Sequence, residues 1–339
     1  MIGYRILGKT VLLSEKAYAT FDGTRGLNSL PELCLELLSE QKKTWDALQE
    51  GYELFENVKQ RDLPCRGFSV SLQYNPGRIK SSTANVTKEV TNERPCFLCL
   101  DRLPAGQKGI LYRGEYLILC NPMPVFPSHF TISHLDHRRQ AIADHIGALL
   151  QLMADFGSGW TVLYNGAECG ASAPDHLHFQ TGPSGQMPIE REIPGDRRLT
   201  LMRQIDGVLL YRASGLGREV IVLEGAHPMA VASAFNGFLK GLKKVLVTDE
   251  EPMMNIAGFY KEKTWRLVIF PRRKHRPDAF FKEGEARVVV SPGVIDLGGL
   301  LITPVEKDFE RLDGATVEDI YKEVSLEGKI VERAIAATE

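Results

Sequence analysis

Charge of either sign is not in surplus in this 339-residue chain: 41 Lys and Arg stand against 43 Asp and Glu, a formal net charge of -2. A surface so balanced has no general attraction for nucleic acid or anionic membrane, so any phosphate-binding patch has to be local. Long hydrophobic runs are missing too. The opening Met1-Ile2-Gly3-Tyr4-Arg5-Ile6 runs quickly into Lys9, Glu15 and Lys16, which excludes the apolar core of a signal peptide. The most apolar stretches, such as Gly114 to Pro127, are broken by proline and polar residues, which excludes a membrane span. The expected location is cytoplasmic. Cysteine is scarce, with six in the chain, and in a reducing compartment these read as thiols or metal ligands rather than disulfides. What is present, 43% hydrophobic and 25% charged residues, matches a soluble globular protein. The length suits two ordinary domains or a duplicated one, since single cores stop growing near ~250 residues.

Residues 28–60 have helical spacing, with Ser29 placed to cap the start and Leu30, Leu33, Leu37, Leu38, Trp45, Leu48 and Leu54 interleaved with Glu and Lys. Phe68, Val70, Leu72 and Tyr74 then alternate with polar residues until Asn75-Pro76-Gly77, the pattern of a strand ending in a turn. Strands are expected at Tyr116 to Leu119, Phe130 to Ser133 and Trp160 to Tyr164, with a helix at Gln140 to Phe156. The glycine and proline of residues 182–198 mark a linker. Beyond it, strands are expected at Val208 to Tyr211, Glu219 to Leu223, Met254 to Phe259, Trp265 to Phe270 and Arg287 to Val290, with a helix from Pro228 to Val247. The division is therefore a helical segment at 1–60, a catalytic unit at 61–190 and a second unit at 191–339.

Two constellations carry chemistry. Cys96 and Cys99 are spaced so that two thiolates from one loop reach one tetrahedral ion, and His137 with His176 completes a Cys2His2 zinc set. A Cys-x-x-Cys pair also serves redox chemistry, and His129 and His134 are alternative third ligands, although each reads more readily as a surface or satisfied histidine than as a ligand. The second constellation is His176-Leu177-His178-Phe179-Gln180. In an extended strand His176, His178 and Gln180 share one face while Leu177 and Phe179 enter the core. A neutral imidazole attacks a phosphoanhydride well, and a phosphoramidate splits one displacement into two. His178 at the centre of the strip is the candidate nucleophile, with Gln180 and Ser172 suited to donate hydrogen bonds to phosphate. In the other half, Pro271-Arg272-Arg273-Lys274-His275-Arg276 is a dense positive run. It reads either as solvated charge or as a phosphate clamp in which Arg272 and Arg273 grip through paired donors.

Taken together, Cys96-x-x-Cys99, His137, Asn165 with its small-residue turn, and His176-x-His178-x-Gln180 resemble the galactose-1-phosphate uridylyltransferase branch of the histidine-triad superfamily. GDP-L-galactose phosphorylases and diadenosine tetraphosphate phosphorylases are similar. The match runs from about Gln73 to Gln180. It implies an α+β fold of two histidine-triad-like units with antiparallel sheets flanked by helices, after the helical N-terminal segment. It also implies that His178 is the nucleotidylated residue, Gln180 its phosphate-orienting partner, and Cys96, Cys99, His137 and His176 the ligands of a structural zinc beside the active site. By the same resemblance Asn165 and Ser172 lie near the nucleotide phosphates, and Arg78 and Lys80 belong to a basic phosphate-binding loop. Leu177 stands where the uridylyltransferases have proline, which favours the phosphorylases, and Asp175 adds a residue to the preceding turn.

The function this implies is nucleotidyl transfer from a nucleoside diphosphate sugar or a dinucleoside polyphosphate to phosphate or a sugar phosphate, with no nucleic-acid or membrane partner and with room for a homodimer. Two other readings stand beside it: hydrolysis of the same substrates, and a zinc-stabilised nucleotide-binding protein without turnover.

Overall fold

A computed structural model describes residues 10–24, 29–84, 94–193 and 198–338. The expected helical lead-in is two helices, α1 (Leu30–Thr44) and α2 (Asp46–Glu56), broken at the extended residue Trp45. Ser29 caps α1 as expected: its hydroxyl accepts from the backbone of Glu32, whose carboxylate accepts from the Ser29 N–H in return. The segment is not purely helical, because it also holds strand β1 (Ala17–Phe21), and the chain is already extended at β2 (Lys59–Pro64). Next come β3 (Ser69–Tyr74), β4 (Gly109–Tyr112), β5 (Tyr116–Cys120) and β6 (Phe130–His134). Helix α3 (Ile146–Phe156) leads to β7 (Trp160–Asn165) and β8 (His178–Pro183). Strands β9 (Leu199–Ile205), β10 (Val208–Ala213) and β11 (Val220–Gly225) precede helix α4 (Pro228–Leu246). Strands β12 (Met254–Lys261), β13 (Thr264–Pro271) and β14 (Leu300–Thr303), then helices α5 (Gly314–Val324) and α6 (Gly328–Ala336), complete the chain.

Eleven strands form one sheet in the order β1-β4-β5-β6-β8-β7-β12-β13-β11-β10-β9. Read outward from its middle, this is one pattern used twice. In each unit three consecutive strands lie side by side, a helix (α3 or α4) follows, and a two-strand hairpin completes the sheet: β4-β5-β6-β8-β7 in the first unit and β9-β10-β11-β13-β12 in the second. The last two units meet at β7 and β12, paired antiparallel from Asn165 opposite Asn255 to Thr161 opposite Phe259. A Cβ on Gly258 in this seam would lie 2.6 Å from the sulfur of Met153 on α3, so a larger residue there would displace the Met153 side chain.

One face of the sheet carries α3 and α4 in a continuous apolar core that includes Tyr116, Phe130, Phe179, Phe235, Phe238 and Ile269. The other face differs between the units. Over the second unit it is filled by the small sheet β14-β3-β2 and α5, whose Val70, Leu72, Leu301 and Tyr321 pack with Val222, Val268 and Phe270. Over the first unit the same face, bearing Thr131, His178 and Gln180, opens into a cavity. The duplicated architecture thus keeps one open face.

Several elements differ from the sequence expectation for local reasons. Helix α3 starts at Ile146, six residues after Gln140, and the backbone N–H groups of Ile142 and Ala143 before it donate to the Glu251 carboxylate. Arg287 to Val290 is irregular chain, and the strand of that region is β14. The expected linker is packed: Gly182 and Pro183 end β8, and Met187, Ile189 and Ile193 are buried; residues 194–197 lie outside those described. Among the described residues no helix is long and apolar enough to cross a membrane.

Candidate active site

The loop after Arg94 and the two histidine segments bring Cys96, Cys99, His137 and His176 together, with all four ligand atoms within 4.8 Å of one another. Cys96 Sγ lies 3.3 Å from His176 Nδ1, and Cys99 Sγ lies 3.3 Å from His137 Nδ1. Zinc–sulfur and zinc–nitrogen bonds in a tetrahedron place sulfur and nitrogen roughly 3.5 Å apart, so the four atoms fit a small divalent ion. Their partners are arranged for ligation. His176 donates its Nε2–H to the carbonyl of His134 at 2.8 Å, which leaves Nδ1 unprotonated toward the sulfurs. Asp175, the extra residue of the turn, places its carboxylate 3.6 Å from His137 Nε2 and 3.5 Å from Arg94. Burial, then the neighbouring Cys96 sulfur, pushes the Cys99 thiol up to about 12, so only a bound cation would hold it as the thiolate at neutral pH. This group can hold a metal ion.

His176 lies just before β8 rather than in it, so the expected even strip is bent at its first member. The bend has a use. The His176 side chain faces the cysteines, while its carbonyl accepts a 2.8 Å hydrogen bond from His178 Nδ1–H. With Nδ1 carrying the proton, His178 Nε2 keeps its lone pair. Burial lowers the His178 pKa below the ordinary value of 6.5, with the His176 carbonyl opposing, so the ring is neutral at neutral pH. Gln140 clamps the same residue: its Oε1 accepts from His178 N at 2.8 Å, and its Nε2 donates to the carbonyls of His178 at 3.0 Å and Asn165 at 2.7 Å. It fills the gap where β7 and β8 diverge beyond the Leu163–Gln180 pair. Gln180 is oriented too, because buried His129 donates Nε2–H to its Oε1 at 2.8 Å and accepts from Val125 N at Nδ1. The amide –NH2 of Gln180 is therefore the end left to donate into the cavity.

His178 and Gln180 form part of the wall of a cavity of about 360 Å³ that is also lined by Arg78, Lys80, Asn165 and Ser172. Apolar Trp45, Leu103 and Leu119 also line it. Residues 37–183, a span holding nearly all of these groups, match the model of a family described as a domain of unknown function (DUF4922). No curated protein matches the chain. Among solved structures, yeast Ap4A phosphorylase Apa2 in complex with AMP is similar with a TM-score of 0.56 and 15% identity, over 86% of this chain and 96% of that one. The same enzyme in complex with Ap4A is similar with a TM-score of 0.56 and 14% identity, over 86% of this chain and 97% of that one. The chain has the fold of Ap4A phosphorylase. It is the α+β architecture, with antiparallel strands flanked by helices, that the sequence resemblance implies.

Within this fold, the residues expected to bind phosphate separate into two groups. Arg78 is half-buried on the cavity wall and donates Nη1–H to the Met123 carbonyl at 2.9 Å, its other guanidinium donors having no hydrogen-bond partner among the described residues. Asn165 Oδ1 is occupied by Asn255 Nδ2 at 2.6 Å and Val294 N at 2.7 Å, so its amide –NH2 is the group that remains. Arg272 and Arg273, expected as a clamp, are not at the cavity. Arg272 is 2% exposed and spends its guanidinium on five acceptors: Asn255 Oδ1 and the carbonyls of Val324, Pro292, Lys274 and His275. It is a staple between loops. Exposed Arg273 bonds the Glu323 carbonyl and lies 3.5 Å from Glu327, on the outer surface. Arg276, the last cation of that run, holds the Ser82 and Ala84 carbonyls and so fixes the rim that carries Lys80.

Sequence reasoning missed Gln140, the positioning role of His129, and Asp296 on the cavity wall. A glutamine, a histidine and an aspartate with no companion at motif spacing leave no periodic signal. Gln140 and His129 act across 38 and 51 residues of chain, and the turn that carries Asp296 is bonded to Asn165, 129 residues away, through Val294.

Proposed function

We propose that this chain is a nucleotidyltransferase or phosphorylase that acts on a nucleotide anhydride through a nucleotidyl-His178 intermediate. The observation that carries the reading is the locked His178 ring: Nδ1–H is held by the His176 carbonyl, and Nε2 is left for the cavity. In the first half-reaction, Nε2 attacks the α-phosphorus of a nucleoside diphosphate sugar or dinucleoside polyphosphate. A P–N bond forms, the P–O bond to the distal phosphate breaks, and that phosphate departs as an anion that needs no proton. In the second, an oxygen of phosphate or a sugar phosphate attacks, the P–N bond breaks, and the neutral imidazole returns. The Gln180 and Asn165 amides, the Ser172 hydroxyl, Arg78 and Lys80 supply donors for non-bridging oxygens as charge develops.

Cys96, Cys99, His137 and His176 would hold zinc, consistent with thiols in a reducing cytoplasm. Zinc at that set would brace His176 and supply no chemistry at phosphorus. The unit at 61–190 would carry the covalent step and the unit at 191–339 the cavity's far wall. The test is intact-mass analysis after incubation with nucleoside diphosphate sugars and dinucleoside polyphosphates. A nucleotidyl adduct that disappears in His178→Gly is expected; the same adduct in His178→Gly would overturn the assignment.

A further inference from the structure

The wall of the cavity contributed by the second unit holds one residue that a polyanion site does not call for. Asp296 is the single acid among the described lining residues, against three cations, Arg78, Lys80 and Arg94. It is buried, and each carboxylate oxygen accepts one backbone hydrogen bond, Oδ2 from Gly293 N at 2.8 Å and Oδ1 from Ile302 N at 2.9 Å. An ionised carboxylate has room for about four acceptor sites, so each oxygen retains capacity. Its place relative to the nucleophile is set by Asn165 at the end of β7, which holds Val294 N at 2.7 Å. Gln140 joins the Asn165 carbonyl to the backbone of His178, so one glutamine side chain, Asn165 and its hydrogen bond to Val294 link the turn of Asp296 to the strand of His178.

Holding a short turn together does not require a charge: a neutral acceptor serves, and burying a carboxylate is costly. In a groove that binds phosphates, a carboxylate also repels ligand charge. Both costs are offset where the ligand presents hydroxyls beside a phosphate, because a hydroxyl donates and the carboxylate accepts. Arg78 supplies the complementary half, its charge interacting favourably with Asp296 while its free donors suit the phosphate. Burial raises the Asp296 pKa to about 6, so at neutral pH the group is still an acceptor.

We propose that Asp296 accepts hydrogen bonds from the sugar hydroxyls of a sugar phosphate, so that the distal half of the cavity takes a nucleoside diphosphate sugar in preference to a dinucleoside polyphosphate. This rests on the nucleotide-transfer reading above. A dinucleoside polyphosphate would set further phosphates beside the buried carboxylate, whereas a sugar sets donors there.

The test is equilibrium binding by calorimetry near pH ~8 in the His178→Ala background, where no adduct at that residue can form. The probes are ADP, ADP-glucose and Ap4A, with UDP, UDP-glucose, GDP and GDP-mannose to cover the base. For the base that binds, the sugar ester is expected to bind about ten-fold or more tightly than the diphosphate, the worth of one or two good hydrogen bonds. Asp296→Asn is expected to erase that increment and to bind the bare diphosphate more tightly, since a repelling charge is gone. A merely structural residue would weaken both ligands alike, and that result would overturn the proposal, as would tighter binding of Ap4A than of any sugar ester. If Asp296→Asn does not fold, monodeoxy analogues of the sugar ester decide. Loss of affinity for at least one is expected, and equal affinity for all would overturn the proposal. Failure of the transfer reading shows separately, as absence of any adduct in the parent protein.

Discussion

Replacing Gln140 by leucine keeps nearly the same volume and removes three hydrogen bonds at once, two to the backbone of His178 and one to the carbonyl of Asn165. Gln140 is 2% exposed, so water does not replace it without opening the site. Each backbone group left without a partner costs about 1–3 kcal/mol, with partial relief from small shifts of the chain. A loss of roughly 3–5 kcal/mol is expected, taking the three groups together at the lower part of that range. For 339 residues the unfolding entropy is roughly 0.7 kcal/mol per degree, so the melting temperature should fall by about 4–7 °C. The catalytic effect should exceed the thermal one, because His178 begins β8 and Gln140 supplies its main-chain bonds on that side. A nucleotidylation rate reduced by about ten-fold to a hundred-fold is expected in single turnover at a temperature where both proteins are folded. The assay pairs calorimetry with quenched-flow mass analysis. Parental rates combined with the predicted drop in melting temperature would refute the positioning argument, and an unchanged melting temperature would refute the burial argument beneath it.

His129→Leu should leave Gln180 free to rotate and slow adduct formation by about ten-fold, with a smaller effect in His129→Asn, which can still donate to the Gln180 oxygen; equal effects of both would contradict the orienting bond. Removal of metal by a strong chelator should lower the melting temperature by on the order of 10 °C, and elemental analysis of the untreated protein should find zinc at one equivalent per chain, its absence refuting the four-ligand site. Because burial lowers the His178 pKa below 6.5, the reactive neutral ring is fully present at neutral pH and is lost only as pH falls through that lowered value. The single-turnover rate should therefore be flat above 6.5 with its acid limb below it, and a limb at higher pH would contradict the assignment. Arg272→Leu should destabilise the fold by about 3–5 kcal/mol because it strands buried acceptors, whereas Arg273→Ala should change neither stability nor substrate affinity, as denaturant titration and binding would report.

The strip at 176–180 and the four metal-ligand candidates were legible because each is local or nearly so. Two cysteines in one loop limit what an ion can reach, and alternation around Leu177 and Phe179 fixes which side chains leave the core. The basic run at 271–276 was misleading for the opposite reason. Sequence records the charge of Arg272 but not the carbonyls of Pro292 and Val324 that surround it, so a buried staple and a phosphate clamp look the same. Strand β14 was invisible because Leu300–Thr303 is only four residues long and owes its extension to pairing with β3, more than two hundred positions away. Asp296 was hidden because its own bonds are local and only the contact of Val294 with Asn165 ties its turn to the first unit. The break at Trp45 lies inside an unbroken helical pattern, and nothing in the spacing of Leu38 and Leu48 announces it.

The seam between β7 and β12 has a consequence for the halves as separate molecules. Each half on its own would end in a full-length strand with an unpaired edge, buried in the whole protein and lined by residues such as Tyr164 and Ile256. Such edges seek any strand of matching length. A chain cut between the halves would therefore give fragments that recombine with each other or, kept apart, pair with copies of themselves. Joining both halves in one polypeptide holds the correct edge at a high local concentration and makes the productive pairing the fast one.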